Sequence, residues 1–320
     1  MRSFFTIATL AALATAGAAR DLATHLRQPA QQVNGTHYVD TSTHETYKHF
    51  DCDVHLGQAT DHFRQTIKGL HRTHKKPSYK GTPAARLFKK QTAPITVNTY
   101  FHVITSTAKA DTITQDMATA QAAALNVAYN PIGITFNLVA TDFTVNDLWA
   151  VAAGADMDAL KASLRKGTYQ DLNLYFHTDL ANSILGTCTL PNTVPAGADP
   201  SIYVSDGCNV QAGTMPGGTI GGYNQGMTAV HETGHWLGLL HTFEGYACEG
   251  NGDFIDDTPF ESVSTDGCPA KPAKDSCPTV TGVDPIHNYM DYSTDACYEG
   301  FTPLQVARIQ SMWTQYRQGF

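Results

Sequence analysis

The sequence predicts an α+β fold, in which a twisted mixed sheet of mainly parallel strands precedes an irregular part stapled by disulfides. Three observations support this class. From Ile95 to Val103, apolar residues alternate with mostly polar ones, which is the period of a half-buried strand. Patterns typical of helices and of strands then alternate along the chain, as they do in largely parallel sheets. Between residues 241 and about 292, Gly, Asp, Pro and Cys are frequent, which favours loops held by disulfides.

The spacing of apolar residues gives the individual elements. The elements predicted after the first strand are, in order, the helix 114–129, the strand 134–140, the helix 157–165, the strand 172–177 and the short strands 184–190 and 202–204. Six glycines lie between Gly213 and Gly226, so this run is predicted to be a loop. A closing helix is predicted over residues 302–316, with Val306 and Ile309 on its apolar face.

The N-terminus has the pattern of a secretory signal. Arg2 is followed by an apolar run over residues 4–13 and by the small residues 16–18. No later apolar run is long enough to span a bilayer. We therefore expect residues 1–18 to be a signal peptide and the protein to be secreted, extracellular and without a membrane partner. A disordered or anchoring N-terminus is the alternative.

Residues 19–92 are expected to form a pro-region, and residues 93–320 the folded catalytic domain. The first segment is polar, contains eight of the fourteen histidines and carries a glycosylation sequon at Asn34. The basic pair Lys89-Lys90 precedes the first strong strand and is the expected neighbourhood of cleavage. A poorly folded linker is the alternative interpretation.

The charge is distributed unevenly along the chain. Residues 20–92 contain twelve Lys and Arg and six Asp and Glu, whereas residues 93–320 contain eight and twenty-three. The basic segment could dock on the acidic body, or the two surfaces could be solvated independently. An acidic folded part argues against nucleic acid as a partner.

The stretch GMTAVHETGHWLGLLH, at residues 226–241, carries the pattern HExxHxxGxxH. On a helix, His231 and His235 lie on one face and can present their imidazoles to one metal ion. Gly238 permits the positive φ that ends a helix and turns the chain sharply. His241 can then return to the same ion as a third ligand. The spacing predicts one Zn2+ per chain.

Glu232 lies one step round the helix and can act as a general base without binding the metal. Three neutral nitrogen ligands leave the fourth position of a tetrahedral zinc ion open for water, which is the arrangement of a catalytic site. The alternative is an amphipathic core helix with incidental histidines, because Trp236 and its neighbours are apolar. The coincidence of three ligands with a turn residue disfavours that alternative.

With HETGHWLGLLH and the later NYMDYS at residues 288–293, the sequence resembles the metzincin zinc endopeptidases. The strand ITVNTYFHVIT, the glycine-rich approach and GDFIDDTP are similar to the pappalysin family, in particular its small secreted fungal extracellular metalloproteases. The resemblance covers about residues 94–320. It implies a metzincin-like fold, in which a zinc helix separates an upper subdomain bearing the sheet from an irregular lower subdomain, with the substrate in the cleft between them.

The resemblance also implies roles for residues of the site. It assigns zinc binding to the three histidines, the general base to Glu232 and a tight turn under the metal to Met290, which could otherwise be a packing residue. Tyr292 is a candidate to hydrogen-bond the oxyanion of the tetrahedral intermediate, or a structural tyrosine. Asp295, near the expected primed-side pocket, would favour basic substrate residues.

Six of the seven cysteines lie in the second half of the chain and could form three disulfides, as expected of a secreted protein. Cys188 and Cys208 are one candidate pair. The sequence alone does not fix the connectivity, but the resemblance implies that Cys248 pairs with Cys277 and Cys268 with Cys297.

A calcium site is a further expectation from the resemblance, because family members carry Ca2+ in the lower region. The clustered oxygen ligands would come from Asp253, Asp256, Asp257 and Thr258. Their spacing does not match an EF-hand, so a solvated acidic loop is the alternative.

Cys52 is the odd cysteine of the chain. A thiolate is a strong zinc ligand, and metzincin relatives use a pro-region cysteine to occupy the open position and silence the enzyme. Here Asp51 and Asp53 flank the cysteine, and their charges would raise the pKa of the thiol. Cys52 could also be an unpaired bystander or form an intermolecular disulfide, and either aspartate could block the zinc in its place.

These observations predict a secreted zinc endopeptidase made as a zymogen, acting as a monomer on protein or peptide substrates. One rival is a non-catalytic secreted binding protein that retains a metalloprotease fold. The presence of Glu232 argues against it, because a scaffold could lose the base and keep its zinc. A zinc hydrolase acting on non-peptide bonds is a second rival, without a motif of its own.

Overall fold

The computed structural model describes residues 38–39, 46–47, 51–74 and 94–320. The predicted signal peptide at 1–18, the sequon at Asn34 and the basic pair Lys89-Lys90 lie outside the described residues. Two short strands, β1 (Tyr38–Val39) and β2 (Thr46–Tyr47), pair in antiparallel fashion. In the part of the chain that the structure describes, no helix is long and apolar enough to cross a bilayer.

A mixed five-stranded sheet carries the fold. Its strands are β3 (Ile95–Thr105), β4 (Ile134–Val145), β5 (Leu172–His177), β6 (Gly186–Cys188) and β7 (Cys208–Gln211). They lie in the order β4-β3-β5-β7-β6. The pairs β4–β3, β3–β5 and β5–β7 are parallel, and β6 runs antiparallel to β7 at one edge. Every residue of β5 is buried, as expected of a central strand with both faces covered.

Helices cover both faces of this sheet. The helices are α1 (Asp61–Thr73), α2 (Gln115–Tyr129), α3 (Asp147–Val151), α4 (Ala155–Leu164), α5 (Met227–Trp236) and α6 (Pro303–Met312). Helices α2 and α5 share the main apolar core with one face of the sheet. Helices α3 and α4 close the other face around Ile104, Leu160 and Tyr175. After α6 the chain continues as one π-helical turn over Trp313–Arg317.

Helix α5 carries the HExxH motif and is fixed along its length by α2. The Gln121 side-chain amide donates to the carbonyl of Gly226 (2.9 Å), just before the first residue of α5. The Tyr129 hydroxyl donates to the carbonyl of Val230 (2.8 Å). Both side chains are buried, so these bonds lie out of competition with water.

The other end of α5 is held by Arg317 of the π-helical turn. Its guanidinium stacks on the ring of Trp236, the last residue of α5, at 3.9 Å from the centroid, and donates to the Trp236 carbonyl (3.2 Å). The same group donates to Asp206 (2.7 Å), which also accepts from the indole of Trp236 (3.0 Å). A cation at a helix C-terminus is favoured by the helix dipole.

The chain between α5 and α6 contains little regular structure, as the composition predicted. Two disulfides cross it and one joins β6 to β7, and these are the three pairs that were expected. The bonded pairs are Cys188–Cys208, Cys248–Cys277 and Cys268–Cys297. Cys52 is a buried free cysteine.

Residues 51–74, here called the N-terminal arm, form one compact unit with the residues that follow. The arm begins beside β6, where Cys52 forms a parallel β-bridge with Gly186. It continues into α1, whose buried residues Phe63 and Ile67 pack against an apolar cluster that includes Leu240 and Met312. A poorly folded linker is therefore excluded for this part of the predicted pro-region.

One expectation for the elements is wrong, and two observed elements, β7 and α3, were not predicted. Residues 202–204 do not form a strand, because they lie in and after a 3-10 turn over Pro200–Tyr203. The missing strand is β7, whose Cys208 is tied to β6 by a disulfide. The short helix α3 was not predicted, and its start depends on Asn146, whose side chain accepts from two backbone N–H groups.

Candidate metal centre

The three motif histidines converge at the C-terminal half of α5. His231 and His235 lie one helical turn apart, and their Nε2 atoms are 3.1 Å from each other. Gly238 has φ +89°, which ends the helix and returns the chain. His241 Nε2 then lies 3.1 Å from His235 Nε2. All three side chains are buried.

The opposite ring nitrogens fix the orientation of these imidazoles. His231 Nδ1 lies 2.7 Å from the carbonyl oxygen of Tyr289, and His235 Nδ1 lies 2.9 Å from that of Leu239. A carbonyl only accepts, so each Nδ1 carries the proton and each Nε2 presents a lone pair.

Burial reinforces the neutral form of these rings. It lowers the pKa of His231 to about 4 and holds the pKa values of His235 and His241 well below the ordinary range. Neutral acceptors that face one another repel, whereas one cation satisfies them together. The donor set therefore fits a metal ion, and imidazole nitrogens are ligands that zinc prefers.

A thiol completes the set. The Sγ of Cys52 and one nitrogen of each of the three histidines lie within 4.8 Å of one another. Burial raises the pKa of the Cys52 thiol, and the neighbouring charge of Glu232 raises it further. The arm thus brings a soft fourth ligand to the point where the three imidazoles meet.

Glu232 lies beside this cluster and is fully buried. Among the described residues, no N–H or O–H group hydrogen-bonds to either carboxylate oxygen. Burial raises the pKa of this carboxyl to about 8, and the adjacent Cys52 thiol opposes the shift. The carboxylate also faces the backbone of Gly186, where an added Cβ would lie 2.3 Å from Oε1.

Comparison with known proteins identifies the family. A peptidase M43 family model, described as pregnancy-associated plasma protein-A, matches residues 169–314. An extracellular metalloprotease of Aspergillus oryzae is 46% identical over 253 residues, which cover 71% of this chain and 78% of that protein. One of Pyricularia oryzae is 50% identical over 241 residues, covering 75% and 80%. This chain belongs to the peptidase M43 family of metalloproteases, the pappalysins.

Solved structures agree with the fold of this pappalysin. Mature mirolysin of Tannerella forsythia, in complex with a cleaved peptide, is 26% identical, covers 71% of this chain and 94% of its own, and has a TM-score of 0.59. A promirolysin mutant is 22% identical, covers 83% and 94%, and has a TM-score of 0.63, a likeness of fold alone. The expected metzincin-like α+β fold is confirmed.

Met290 lies directly under the metal-binding helix of this pappalysin. It is fully buried, and its sulfur would be 2.4 Å from a Cβ added at Gly234, the residue directly before His235. The Met290 backbone N–H donates to the side chain of Asn288 (3.0 Å), which tightens the turn. The predicted turn is thus placed against the helix, and Gly234 is what allows the close approach.

Tyr292 reaches the same centre from the turn. Its ring centroid is 5.7 Å from that of His231 and 5.0 Å from that of His241. Its hydroxyl accepts from the backbone N–H of Cys52 (3.0 Å) and donates to the Cys52 carbonyl (2.9 Å). The hydroxyl therefore binds the main chain of the segment that occupies the site.

The two carboxylate oxygens of Asp295 have different surroundings. One carboxylate oxygen, Oδ2, accepts from the backbone N–H groups of Gln225 (2.7 Å) and Met227 (3.4 Å), so Asp295 caps the start of α5 in place of the glycine at the cap position. The other oxygen, Oδ1, is buried and has no hydrogen-bond partner among the described residues. Burial raises the pKa of this carboxyl to about 7.

The four residues expected to bind calcium do not share one set of partners. Asp253 Oδ1 accepts from the Thr258 hydroxyl (2.7 Å), and burial raises the pKa of Asp253 to about 8. Asp256 instead lies 2.7 Å from Nε2 of His71 in α1. Asp257 accepts from the hydroxyl of Thr302 (2.6 Å) and so holds the start of α6.

Sequence reasoning missed the edge of β6 as part of the site. The backbone N–H of Leu185 donates to the carbonyl of Asp51 (2.9 Å), and the N–H of Asp53 donates to the carbonyl of Gly186 (3.4 Å). A glycine within a predicted strand was the available signal, because glycine in a strand often marks a close approach of another group.

Proposed function

We propose that this pappalysin is a secreted zinc endopeptidase that hydrolyses peptide bonds in extracellular proteins and is made as a zymogen. The observation that carries the proposal is the meeting of three buried imidazole nitrogens beside a buried carboxylate, with a thiol of the N-terminal arm at the same point. Relatives named extracellular metalloproteases support secretion and proteolysis.

The ligand set fits zinc, with His231, His235 and His241 as the protein ligands of the mature enzyme. When bound, zinc would lower the pKa of water to about 7 and polarise the carbonyl of the substrate. The Nδ1 contacts of the first two histidines to backbone carbonyls would keep their Nε2 atoms aimed at one point.

Glu232 is the proton carrier of this proposal. Its oxygens have no N–H or O–H donors in the described part of the chain, so once the Cys52 thiol has left, the carboxylate would be available to a water molecule in the cleft. It would accept a proton as that water attacks the peptide carbonyl, and then deliver the proton to the leaving amine. The bare backbone of Gly186 leaves it room to stand at the cleft.

Tyr292 would act on the other side of the reacting carbonyl. In the zymogen its hydroxyl binds the main-chain N–H and carbonyl of Cys52. Departure of the arm frees this hydroxyl, which can then donate to the oxyanion that develops at the substrate.

The N-terminal arm would hold the enzyme latent by three contacts. Cys52 supplies a thiol ligand at the metal centre, Asp51 and Asp53 pair with the edge of β6, and α1 packs on the apolar cluster with Leu240 and Met312.

Asp295 would set a preference for basic substrate residues. Its Oδ1 is buried without a partner in the described residues, so a guanidinium or ammonium of a substrate would satisfy a carboxylate that now lacks one. Its Oδ2 remains engaged with the start of α5, which fixes the position of the carboxylate.

Other parts of the proposal stay predictions. They are the signal peptide 1–18, cleavage between the pro-region 19–92 and the domain 93–320, glycosylation at Asn34, a calcium ion bound by Asp253, Asp256, Asp257 and Thr258, and a monomeric state.

Hydrolysis of casein by the matured protein tests the proposal. Wild-type protein should cleave casein, lose activity in a chelator and regain it with zinc. The variant Glu232→Gln should bind one zinc per chain by elemental analysis, because the histidines remain, while its activity falls by orders of magnitude. Equal activity in Glu232→Gln would overturn the mechanism, and zinc-loaded wild-type protein without proteolysis would favour the non-catalytic rival.

A further inference from the structure

A cavity of about 350 Å3 lies between the N-terminal arm and the edge of the sheet. The arm contributes Asp53 and Thr60 to its walls, and the sheet contributes Thr187 of β6 and Asn209 of β7. Lys161 of α4 also lines it. Removal of the arm would take away one wall and open the cavity to solvent.

Lys161 is an unusual lining residue because it is almost fully buried. Its ammonium donates to the carbonyl of Ser205 (2.7 Å) and lies 5.3 Å from the ring centroid of Tyr175. An ammonium has three N–H donors, and Ser205 is its one hydrogen-bond acceptor within the described residues. Burial lowers the pKa of Lys161 to about 8, which reflects a cation with less solvation than it needs.

In the described part of the chain no carboxylate lies within ion-pair distance of the Lys161 ammonium, and Asp206 and Asp158 act on it only at longer range. Asp206 also lines the cavity, but its carboxylate is engaged by Arg317 (2.7 Å) and by the indole of Trp236 (3.0 Å). Its second basic neighbour is Arg165, 3.8 Å away. The remaining lining carboxylate is Asp53, which belongs to the arm and would leave with it. The lining charges that remain are then Lys161 and Asp206, and the carboxylate of Asp206 is already engaged by Arg317.

The cavity continues the substrate cleft along β6. Thr187 follows Gly186, whose backbone faces the carboxylate of Glu232. The Thr187 hydroxyl donates to the carbonyl of Asp53 (3.3 Å), one residue after the cysteine at the metal centre. An extended peptide that pairs with this edge would pass the same wall, within one or two residues of the reacting bond.

We propose that this cavity is a substrate subsite for an acidic side chain, Asp or Glu, and that Lys161 is its anchor. The inference rests on the proposed proteolytic function and adds a second selective position to it. Asp53 of the arm lines this cavity with its carboxylate turned to His55 (3.5 Å), so in the described part of the chain the Lys161 ammonium keeps room for the carboxylate of a substrate.

Matched peptides test the subsite on the matured wild-type protein. One quenched fluorescent peptide that the enzyme cleaves is varied at each of four positions on both sides of the scissile bond, with Asp, Asn and Lys in turn. At one position Asp should give a kcat/KM about ten-fold above Asn, the effect of one charge-assisted hydrogen bond. Lys should be the poorest residue there.

Variants then assign the preference to its residue. Lys161→Met should reduce the ratio of Asp to Asn from about ten to about one, and Lys161→Arg should retain a preference for Asp. Lys271→Met, at an exposed lysine of the lower part, is the matched control and should keep the wild-type ratio.

The outcomes separate this inference from the proposed function. Hydrolysis of the peptides with no preference for Asp at any position overturns the subsite and leaves the protease intact. A wild-type ratio that persists in Lys161→Met also overturns it. If Lys161→Met does not fold, the wild-type ranking of Asp, Asn and Lys decides. Failure to cleave any peptide, with zinc bound, refutes the proposed function itself.

Discussion

The substitution Gly186→Ala probes the placement of Glu232, the proposed general base. A Cβ at this position would lie 2.3 Å from Oε1 of Glu232 and 2.6 Å from its Cδ and Cγ, whereas ordinary contacts begin at 3.4 Å. Either the carboxylate or the strand must therefore move by about 1 Å, the difference between these distances. The contact includes Cγ of Glu232, so turning the carboxylate about its own bond does not relieve it. A misplacement of about 1 Å costs about 100-fold in rate, or about 2.7 kcal/mol of transition-state free energy.

The assay compares matured Gly186→Ala with wild type on one fluorescent peptide, with zinc measured in the same samples. Zinc should remain at one per chain, because the three atoms nearest to an added methyl all belong to Glu232, which is not one of the proposed ligands. Gly221→Ala is the matched control, since a Cβ there meets nothing within 4 Å. A kcat within three-fold of wild type, with zinc bound, would refute the idea that the glycine makes room for the base.

Three further predictions concern the arm, the specificity and the core. In Cys52→Ser the precursor should show activity before cleavage, because a hydroxyl is a weaker zinc ligand than a thiolate; unchanged latency would shift the inhibitory role to the rest of the arm. Asp295→Asn should lower the preference for Arg over Gln in matched peptides while keeping an oxygen for the Gln225 N–H, and an unchanged ratio would remove Asp295 from specificity. Arg317→Ala should lower the free energy of unfolding in urea by about 3 kcal/mol, because it removes the nearer of the two guanidinium groups that pair with the buried carboxylate of Asp206, and a loss below about 1 kcal/mol would contradict this.

The sequence predicted those features that local patterns determine. The alternation from Ile95 to Val103 became β3, and the apolar period before Tyr129 became α2. Gly238 does adopt a positive φ and returns the chain toward the other histidines. In each case neighbours within a few residues supply the information.

Features that depend on distant residues were harder to predict. β7 is only four residues long, and its strand character comes from pairing with β5 and β6. The apolar pattern of the sequence favours a strand over residues 202–204 instead. The cap that Asp295 provides to α5 joins residues about 70 positions apart. The partner of Asp256 is His71, which precedes it by 185 residues in the sequence. The local sequence around Asp256 does not indicate this contact.

The role of Cys52 could be predicted only in part. Its oddness in a secreted chain raised the idea of a metal ligand, but its place among the three histidines depends on contacts such as the one with Tyr292, 240 residues away. The flanking aspartates, which argued against the idea, point their backbone groups at β6.

The position of β6 at the rim of the sheet also bears on the solubility of the protein. A rim strand with open N–H and C=O groups can template pairing between molecules and lead to aggregation. With the arm in place, the groups of Leu185 and Gly186 are covered by the chain itself. In the proposed zymogen the arm would thus protect the protein from self-association. Loss of the arm would expose the same backbone groups, so the proposed mature form should be the one that is prone to associate at high concentration.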